Sequence, residues 1–379
     1  MRALVGAATV LVLAASCVSD APAPSGSASP TAIAVAVTDK TRADLQGVLI
    51  EREAALATKD LKRFQATIDV SRPAFRRCQQ ETFEIASRVG RSGGPTHIVK
   101  AEAYGDTYVR AYLDDFQGLF RLYFRRDSDR WILTEPKADE LRGERSKTVS
   151  GVRVDYWGID EDVVDMVGAA AAETRDYIKP YANSPLKVPY FVKLIPTRET
   201  AGIVGCNFTA FAQTRDENAP QIGLWKTWYS EDLRSVSDWM LAVFHHEGLH
   251  YLQDQFIHKI TIRLDWWLIE GWPDFIAQTS SRSAIRAALC TGTLPTLKRL
   301  IDGVPTEPDT PPELTSQYYA LANTLVDYVY ATKGAQAYWD LLTLYKDVPD
   351  YRVQYPKVFG VEPDAFYASW LAYAKRKYC

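Results

Sequence analysis

The sequence predicts an α+β fold in two parts, and three observations lead to that prediction. The chain has 379 residues, 47% of them hydrophobic, which is enough to bury a large core and suggests more than one domain. Its first half has helical patterns followed by segments in which apolar and polar residues alternate, as in an antiparallel meander. Its second half has a few short strand patterns and is then helical almost to its end.

The N-terminus is typical of a secretory signal. In MRALVGAATVLVLAASC, Arg2 provides the positive start, and residues 3–15 form an apolar run too short to span a membrane. LAASC resembles the bacterial lipobox, which implies removal of residues 1–16 and a lipid on Cys17. Ordinary cleavage nearby, which would give a freely secreted protein, is the alternative. Residues 17–38 are rich in Ala, Pro and Ser, which predicts a flexible tether.

These signals predict an exported protein that its lipid anchors to the outer face of the bacterial cytoplasmic membrane. Disulfides persist in such a compartment. Four further cysteines allow three pairings, among which the sequence does not choose: Cys78, Cys206, Cys290 and Cys379. No CxxC pair occurs, which excludes a zinc ribbon. The net charge of −3 and the lack of a basic run argue against nucleic acid as a partner.

Residues 39–140 are predicted to form a small α+β domain. A helical pattern begins near residue 39 with Leu45 and Leu49 on one face, and PAFRRCQQETFEIAS predicts a second helix. The segments HIVKAEAY, TYVRAYLDDF, GLFRLYFRR and WILTE alternate and predict antiparallel strands. This order and the stretch LATKDLKRFQATID resemble the nuclear-transport-factor-like fold found ahead of peptidase domains in some exported bacterial proteins. The resemblance implies a cone-like domain.

The polar segment PKADELRGERSK is predicted to link this domain to a second one, residues 148–379. The segments GVRVDYW, VPYFVKLI, FTAFAQT and QIGLWKTWY predict a small sheet, with an alanine-rich helix around residues 161–180. The rest of the chain is nearly all helical, most clearly in YYALANTLVDYVYATKG and FYASWLAYAKRKY. The second domain is therefore predicted to have a small N-terminal sheet and a mainly helical C-terminal half.

The stretch FHHEGLHYLQDQF carries three of the five histidines of the chain. His246 and His250 are four residues apart, so they lie on one side of a helix and can bind one ion together. Glu247 is rotated by about 100° from His246 and therefore lies beside such an ion. This is the His-Glu-x-x-His pattern of zinc proteases, in which the glutamate takes a proton from water. The pattern also occurs by chance, so a third ligand has to decide.

The other three histidines are interpreted as unrelated to a metal. His245 points away from His246 and is expected to make a polar contact on the far side of the helix. His258 is off the ligand face and is expected at the surface. His97 follows SGGPT and is expected in a loop.

The third ligand distinguishes two classes of zinc protease. A metzincin would have glycine at position 253 and histidine at position 256, where this chain has Gln253 and Phe256. That class is excluded. The other common solution is a glutamate on a following helix, and LDWWLIEGWPDFIA supplies Glu270, 20 residues after His250.

Here the sequence resembles the gluzincins, the thermolysin-like metallopeptidases, and WWLIEGWPDF resembles the corresponding run of their short MA-like members. The resemblance implies that His246, His250 and Glu270 bind one zinc ion per chain. It implies that Glu247 is the general base and that Asp274, one turn after Glu270, orients His246.

Pro273 departs from the family pattern, which has a small helix-forming residue at this position. Proline is tolerated in the first turn of a helix, so this helix is predicted to begin close to Glu270.

The resemblance covers roughly residues 148–379. PQIGLWKTWY is the candidate for the edge strand that pairs with an extended peptide substrate in gluzincins. SQYYALANTLVDYVYATKG resembles the helix whose tyrosine donates to the tetrahedral oxyanion in this family. By position Tyr319 is the candidate for that role and Tyr318 the alternative; packing is the ordinary role of both.

Together these features predict a zinc metallopeptidase that acts on peptides or proteins. Two histidines and one glutamate leave a zinc position open for water, as a catalytic site requires. Zinc lowers the pKa of that water towards about 7, and Glu247 accepts its proton as the water attacks the carbonyl. An endopeptidase is expected, because the Gly-x-Met-Glu-Asn run of gluzincin aminopeptidases is missing. The alternatives are a zinc-containing envelope-binding or sensing lipoprotein without turnover, and a functional pocket in the first domain.

Overall fold

The structure is a computed structural model, and it describes residues 35–89, 96–104, 107–115, 117–183, 190–197, 206, 210–213, 221–224, 227–257, 264–291, 293–304 and 312–379. These residues form an α+β fold, as the sequence predicts, and they belong to one compact unit that begins at residue 34. The described helices are all too short or too polar to span a lipid bilayer. The predicted signal peptide and Cys17 lie outside the described residues.

The first half contains helices and an antiparallel sheet. The helices are α1 (Asp39–Ala57), α2 (Leu61–Gln65) and α3 (Pro73–Val89), and the strands are β1 (Val35–Ala36), β2 (His97–Tyr104), β3 (Tyr108–Asp115), β4 (Gly118–Asp127) and β5 (Arg130–Thr134). Strands β2 to β5 pair in sequence order, as alternation predicted. Strand β1 pairs with β2 although it falls within the predicted tether, because its backbone finds a partner at the edge of the sheet.

The two faces of this sheet, sheet A, differ in character. Ala111, Leu113 and Phe124 lie on one face and belong to the same buried core as Leu45 of α1. Successive side chains of a strand point to opposite faces, so the other face carries a layer of tyrosine and arginine side chains. That layer packs against the second half of the molecule, as described below.

The predicted polar link forms a strand instead. Strand β6 (Glu144–Val149) pairs antiparallel with β7 (Val152–Trp157). Its side chains are exposed on both faces of the strand, so no alternation of apolar and polar residues marked it. Only its backbone hydrogen bonds make it a strand, and these are not visible in a hydrophobic pattern.

The second half has its own sheet, sheet B. Its further strands are β8 (Phe191–Leu194), β9 (Ala210–Gln213) and β10 (Gln221–Leu224), and α4 (Val164–Ile178) follows β7. The order is β6-β7-β8-β10-β9, with β7 and β10 parallel to β8 and both outer pairs antiparallel. The prediction that β10 is the edge strand is wrong, because β9 lies outside it among the described strands.

The segment predicted as one long strand is in fact divided between the two sheets. After β10, the chain leaves sheet B, and β11 (Trp228–Tyr229) pairs with the first residues of β4 in sheet A. A disulfide between Cys78 and Cys206 also connects α3 to the second half, and a second disulfide joins Cys290 to Cys379. The division into domains 39–140 and 148–379 therefore stays a prediction. Sheet A contains strands from both of these ranges, and the disulfide between Cys78 and Cys206 joins them.

The rest of the chain is helical. The helices are α5 (Asp238–Ile257), α6 (Trp266–Ala277), α7 (Arg282–Arg286), α8 (Leu297–Asp302), α9 (Pro312–Lys333), α10 (Gln336–Tyr345), α11 (Tyr351–Phe359) and α12 (Pro363–Tyr378). Helix α6 begins a full turn before Glu270, so the prediction that Pro273 forces it to begin close to Glu270 is wrong. A donor on another helix replaces the N–H that Pro273 lacks, as described with Gln253 below.

Candidate metal centre

Three side chains from two helices converge at one point. His246 and His250 lie one turn apart on α5, and their Nε2 atoms are 3.1 Å apart. Glu270 of α6 places its Oε2 atom 3.4 Å from Nε2 of His246 and 3.3 Å from Nε2 of His250. The three atoms lie within 4.8 Å of one another. Within the described ranges this is the one cluster of three or more His, Cys, Asp or Glu side chains that could hold a metal ion.

The electrostatics of the cluster favour a cation between these atoms. Burial lowers the pKa of His250, but the charge and hydrogen bond of Glu270 outweigh burial and raise that pKa to about 10. Burial by itself would raise the pKa of Glu270. The charges and hydrogen bonds of the two histidines outweigh burial and hold this pKa well below its usual range. Two imidazole nitrogens and one carboxylate oxygen are also the donor set of many catalytic zinc sites. The residues present therefore fit a divalent cation.

Glu247 lies beside this cluster and outside the ligand set. Its side chain is half-buried, and its charge raises the pKa of His250, of Tyr319 and of Tyr190. A carboxylate in that position borders the metal centre without being one of the three converging groups. This is the placement that the helical rotation after His246 predicts.

Tyr319 of α9 reaches the cluster directly. Its hydroxyl donates to Oε2 of Glu270 at 3.0 Å, and its ring packs against Trp266 with 5.0 Å between centroids. Burial and the charge of Glu270 raise its pKa, so the hydroxyl keeps its proton at neutral pH. Tyr318 is buried and also contacts Trp266, but its pKa is raised mainly by burial, and the charges that act on it are those of Arg299 and Asp302, outside the cluster. Of the two tyrosine candidates, the structure brings only Tyr319 to the site.

Gly271 explains how Tyr319 comes so close. A Cβ atom at this glycine would lie 2.6 Å from the carbonyl oxygen of Ala322 and 2.9 Å from its Cβ atom. Only a residue without a side chain lets the backbones of α6 and α9 approach to this distance. Because Tyr319 lies one turn before Ala322, this close approach places its hydroxyl next to Glu270.

Asp274 is buried one turn after Glu270. Its carboxylate accepts hydrogen bonds from Thr279 and, at 2.8 Å, from Nδ2 of Asn323. Burial raises the pKa of Asp274, while these hydrogen bonds and the nearby charge of His246 lower it. Asp274 is thus close enough to sense His246, and its role in orienting that ring stays a prediction.

Gln253 is a site residue that the sequence analysis missed. Its Oε1 atom lies 2.7 Å from Nδ1 of His250, and its Nε2 atom donates to the carbonyl oxygen of Ile269 at 2.9 Å. Because an amide oxygen only accepts, Nδ1 of His250 must carry a proton, and Nε2 is the ring nitrogen that faces the cluster. The available signal was position, since Gln253 lies three residues after His250 on the same side of α5.

The remaining histidines lie elsewhere. His245 stacks on Tyr177 of α4, with 3.8 Å between ring centroids and 4° between planes, and burial lowers its pKa to about 4. His245 therefore lies away from the cluster, as expected, but its contact is an aromatic stack and not the polar contact that the sequence predicted, because its Nε2 atom is buried without a hydrogen bond to any described residue. His97 is exposed and is the first residue of β2, so the prediction that it lies in a loop is wrong. His258 lies outside the described residues.

No known protein family matches the sequence, and no curated protein matches it. Function is therefore argued from the residues and their geometry.

Proposed function

We propose that the protein is a zinc-dependent metallopeptidase that hydrolyses peptide bonds. The observation that carries the proposal is the convergence of His246, His250 and Glu270, with Glu247 and Tyr319 at the border of the same buried cluster. The gluzincin resemblance assigns the same five residues to ligands, base and oxyanion donor.

The number of ligands favours a catalytic centre over a structural one. Structural zinc sites are closed by four protein ligands, and catalytic sites use three and keep one position open. Here three side chains converge, and the acid beside them is outside the ligand set. That arrangement leaves room for water and substrate.

The side chains can perform the proton transfers of hydrolysis. When bound, zinc supplies Lewis acidity, which lowers the pKa of water from 15.7 towards about 7 and polarises a carbonyl. The carboxylate of Glu247 accepts the proton of the attacking water and returns it to the leaving amine. The hydroxyl of Tyr319, which keeps its proton, donates to the carbonyl oxygen as negative charge develops there. Nδ1 of His250 stays protonated by its bond to Gln253.

The larger architecture is proposed on the same resemblance. Residues 39–140 would be the cone-like domain and residues 148–379 the gluzincin-type peptidase. Strand β9 takes the place first predicted for β10, since of the two antiparallel edges in the described part of sheet B it is the one next to β10, and it can pair with an extended substrate. The signal sequence and Cys17 support an exported enzyme with a lipid anchor.

Elemental analysis of the purified mature protein tests the zinc site. We expect about one zinc per chain in the wild type, loss of zinc in Glu270→Ala, and retention of zinc in Glu247→Gln. A peptide library then tests the reaction, which only the wild type should catalyse. A wild type that takes up no zinc when it is supplied would refute the metal centre. A zinc-loaded wild type that cleaves nothing in the library would instead favour the binding lipoprotein.

A further inference from the structure

We propose that Gln253 is a positioning residue for the zinc ligand His250, and that Pro273 is what frees a backbone carbonyl to hold Gln253 in place. This inference rests on the proposed zinc site. It goes beyond the family resemblance, which gives no role to position 253 and marks Pro273 as a departure.

Pro273 leaves one carbonyl of α6 without its helical partner. In an α-helix the N–H of residue 273 would donate to the carbonyl oxygen of residue 269. Proline has no N–H, so the carbonyl oxygen of Ile269 needs another donor. Nε2 of Gln253 lies 2.9 Å from that oxygen and provides it. This is why α6 continues through Pro273 instead of beginning after it.

The amide of Gln253 can take only one orientation here. Its side chain is 2% exposed, and Nε2 also lies 3.2 Å from the carbonyl oxygen of Leu268 and 2.6 Å from the hydroxyl of Tyr338. That hydroxyl lies 3.3 Å from the same Leu268 oxygen, and the ring of Tyr338 stacks on Trp272. A flipped amide would direct its oxygen at two carbonyl oxygens. The nitrogen therefore faces α6, and Oε1 faces His250.

This fixed amide connects the two helices that carry the ligands. Oε1 accepts from Nδ1 of His250 at 2.7 Å, while Nε2 of that ring faces Glu270 at 3.3 Å. The carbonyl that Gln253 caps belongs to Ile269, the residue directly before Glu270. One side chain thus fixes which nitrogen of one ligand faces the cluster and holds the turn that carries another. Partners of this kind typically contribute 10- to 100-fold to metal affinity.

Gln354 offers a matched control on α11. It is 1% exposed, and its Nε2 atom also donates to two backbone carbonyls, those of Leu344 at 3.3 Å and Val348 at 2.8 Å. Among the hydrogen bonds of its described side chain, none involves a histidine. Gln354→Leu therefore removes a buried carbonyl cap of the same type and leaves the metal centre alone.

The first experiment measures zinc dissociation constants by chelator competition for the wild type, Gln253→Leu and Gln354→Leu. We expect affinity to fall 10- to 100-fold in Gln253→Leu and to stay at the wild-type value in Gln354→Leu. In the metal-free proteins, ¹⁵N-edited NMR of the histidine rings should show a downfield-shifted, hydrogen-bonded Nδ1 proton of His250 in the wild type and the loss of that shift in Gln253→Leu. A folded Gln253→Leu variant with wild-type affinity and an unchanged Nδ1 proton shift would overturn the proposal.

A double-mutant cycle with Pro273→Ala tests the second part. An alanine N–H at position 273 can bond the carbonyl of Ile269, so the loss of denaturation midpoint caused by Gln253→Leu should be smaller in that background. Part of the fold-loss of zinc affinity should remain in that background, because the restored N–H can hold the turn of Glu270 but cannot replace the acceptor for His250. An equal loss of midpoint in both would remove Pro273 from the proposal.

The cycle also covers the case in which Gln253→Leu alone does not fold. The double variant has the missing donor restored, so it can then carry the affinity and NMR measurements. A wild type that binds no zinc would contradict the proposed function instead, and the hydrogen-bonded Nδ1 proton of His250 in the metal-free protein would still test Gln253.

Discussion

Two buried groups of charged side chains in this molecule balance their charges differently. In the polar layer of sheet A, Arg110 donates to Glu102 at 2.8 Å and pairs with Asp162 at 2.9 Å. Arg121 of the same layer pairs with Asp160 at 2.5 Å. Each arginine comes from the sheet, and both aspartates come from the turn after β7, so these pairs also attach the first half to the second.

The metal centre has no such cation in the described ion pairs. Glu270 pairs there with His246 and His250, whose imidazoles carry charge only when they bind a proton. The protein thus neutralises the three acids of the sheet A group with its own cations, Arg110, Arg121 and Lys100, and it leaves the helical group to be neutralised by a proton or a metal ion. A group of side chains whose charges are balanced can hold the two halves of the molecule together. A group of acceptor side chains without a cation is suited to binding one.

Glu247→Gln should have the largest effect and tests whether the helical group is catalytic. Loss of a general base should lower kcat/KM by about 10²–10⁴-fold, because the amide cannot accept the proton of water. Zinc content should not change. The exposed Glu231→Gln is the control and should behave as wild type in the same peptide assay. Undiminished hydrolysis by Glu247→Gln would exclude Glu247 as the base.

Arg110→Met tests whether the sheet A group is purely structural. Removing Arg110 leaves the buried Glu102 with only the half-exposed Lys100, 3.0 Å away, and should lower the free energy of unfolding by up to about 3–5 kcal/mol. The exposed pair of Arg352 with Asp350 is the control, and Arg352→Met should change stability by about 0–1 kcal/mol. Denaturant titrations measure both. A loss of zinc affinity in folded Arg110→Met would show that the two groups are coupled.

Tyr319→Phe tests whether the hydroxyl of Tyr319 takes part in the reaction without binding the proposed metal. Loss of one oxyanion donor should lower kcat by about 10²–10³-fold, with little change in zinc content. The neighbouring Tyr318→Phe is the matched control, since its ring is buried on the same helix and its hydroxyl is not bonded to Glu270. Equal activities of the two variants would leave Tyr319 with packing alone.

Asp265 is a third kind of buried acid, whose described partners are tyrosine hydroxyls and not cations. Its substitution should have the smallest effect of the four. The hydroxyls of Tyr345 and Tyr355 each donate to it at 2.7 Å, yet burial outweighs them and raises its pKa to about 6. The pKa of an unfolded aspartate is about 3.9, so this group adds stability below about pH 4 that is lost as the pH rises through 6. Two units correspond to about 3 kcal/mol.

Asp265→Asn keeps a carbonyl oxygen for both hydroxyls and removes the titration. Urea titrations of the wild type and the variant between pH 4 and pH 7 should therefore diverge, with the wild type losing stability relative to the variant as the pH rises. Parallel curves would mean that Asp265 titrates normally in the folded protein.

Local patterns predicted much of the fold, and the deviations have physical causes. Alternation revealed β2 to β5 because one face of each strand is buried, whereas β6 is exposed on both faces and carries no such signal. The strand at Trp228 and Tyr229 could not be assigned to sheet A, since nothing local distinguishes one edge from another. Its partners are set by tertiary packing.

In the candidate site, too, local patterns predicted some features, and tertiary contacts set the others. Helical geometry predicted that His246 and His250 point to the same side, because it fixes where residues four apart point, and the gluzincin resemblance added Glu270. The start of α6 was mispredicted because a rule about proline considers only the helix itself. The donor that replaces the missing N–H comes from Gln253 on another helix, and a single sequence does not show that contact.

The pairing of β11 with β4 also constrains the order in which the chain can fold. Strand β5 covers β4 only from Tyr123 onwards, so Leu119 and Phe120 acquire their outer neighbour from β11 alone. During synthesis that neighbour emerges long after the rest of sheet A, and pairing between segments distant in sequence is slow. Until then the sheet has an open edge, which can recruit strands from other chains. In the nascent first half, Leu119 and Phe120 are therefore the place on β4 where such pairing is expected until Trp228 arrives.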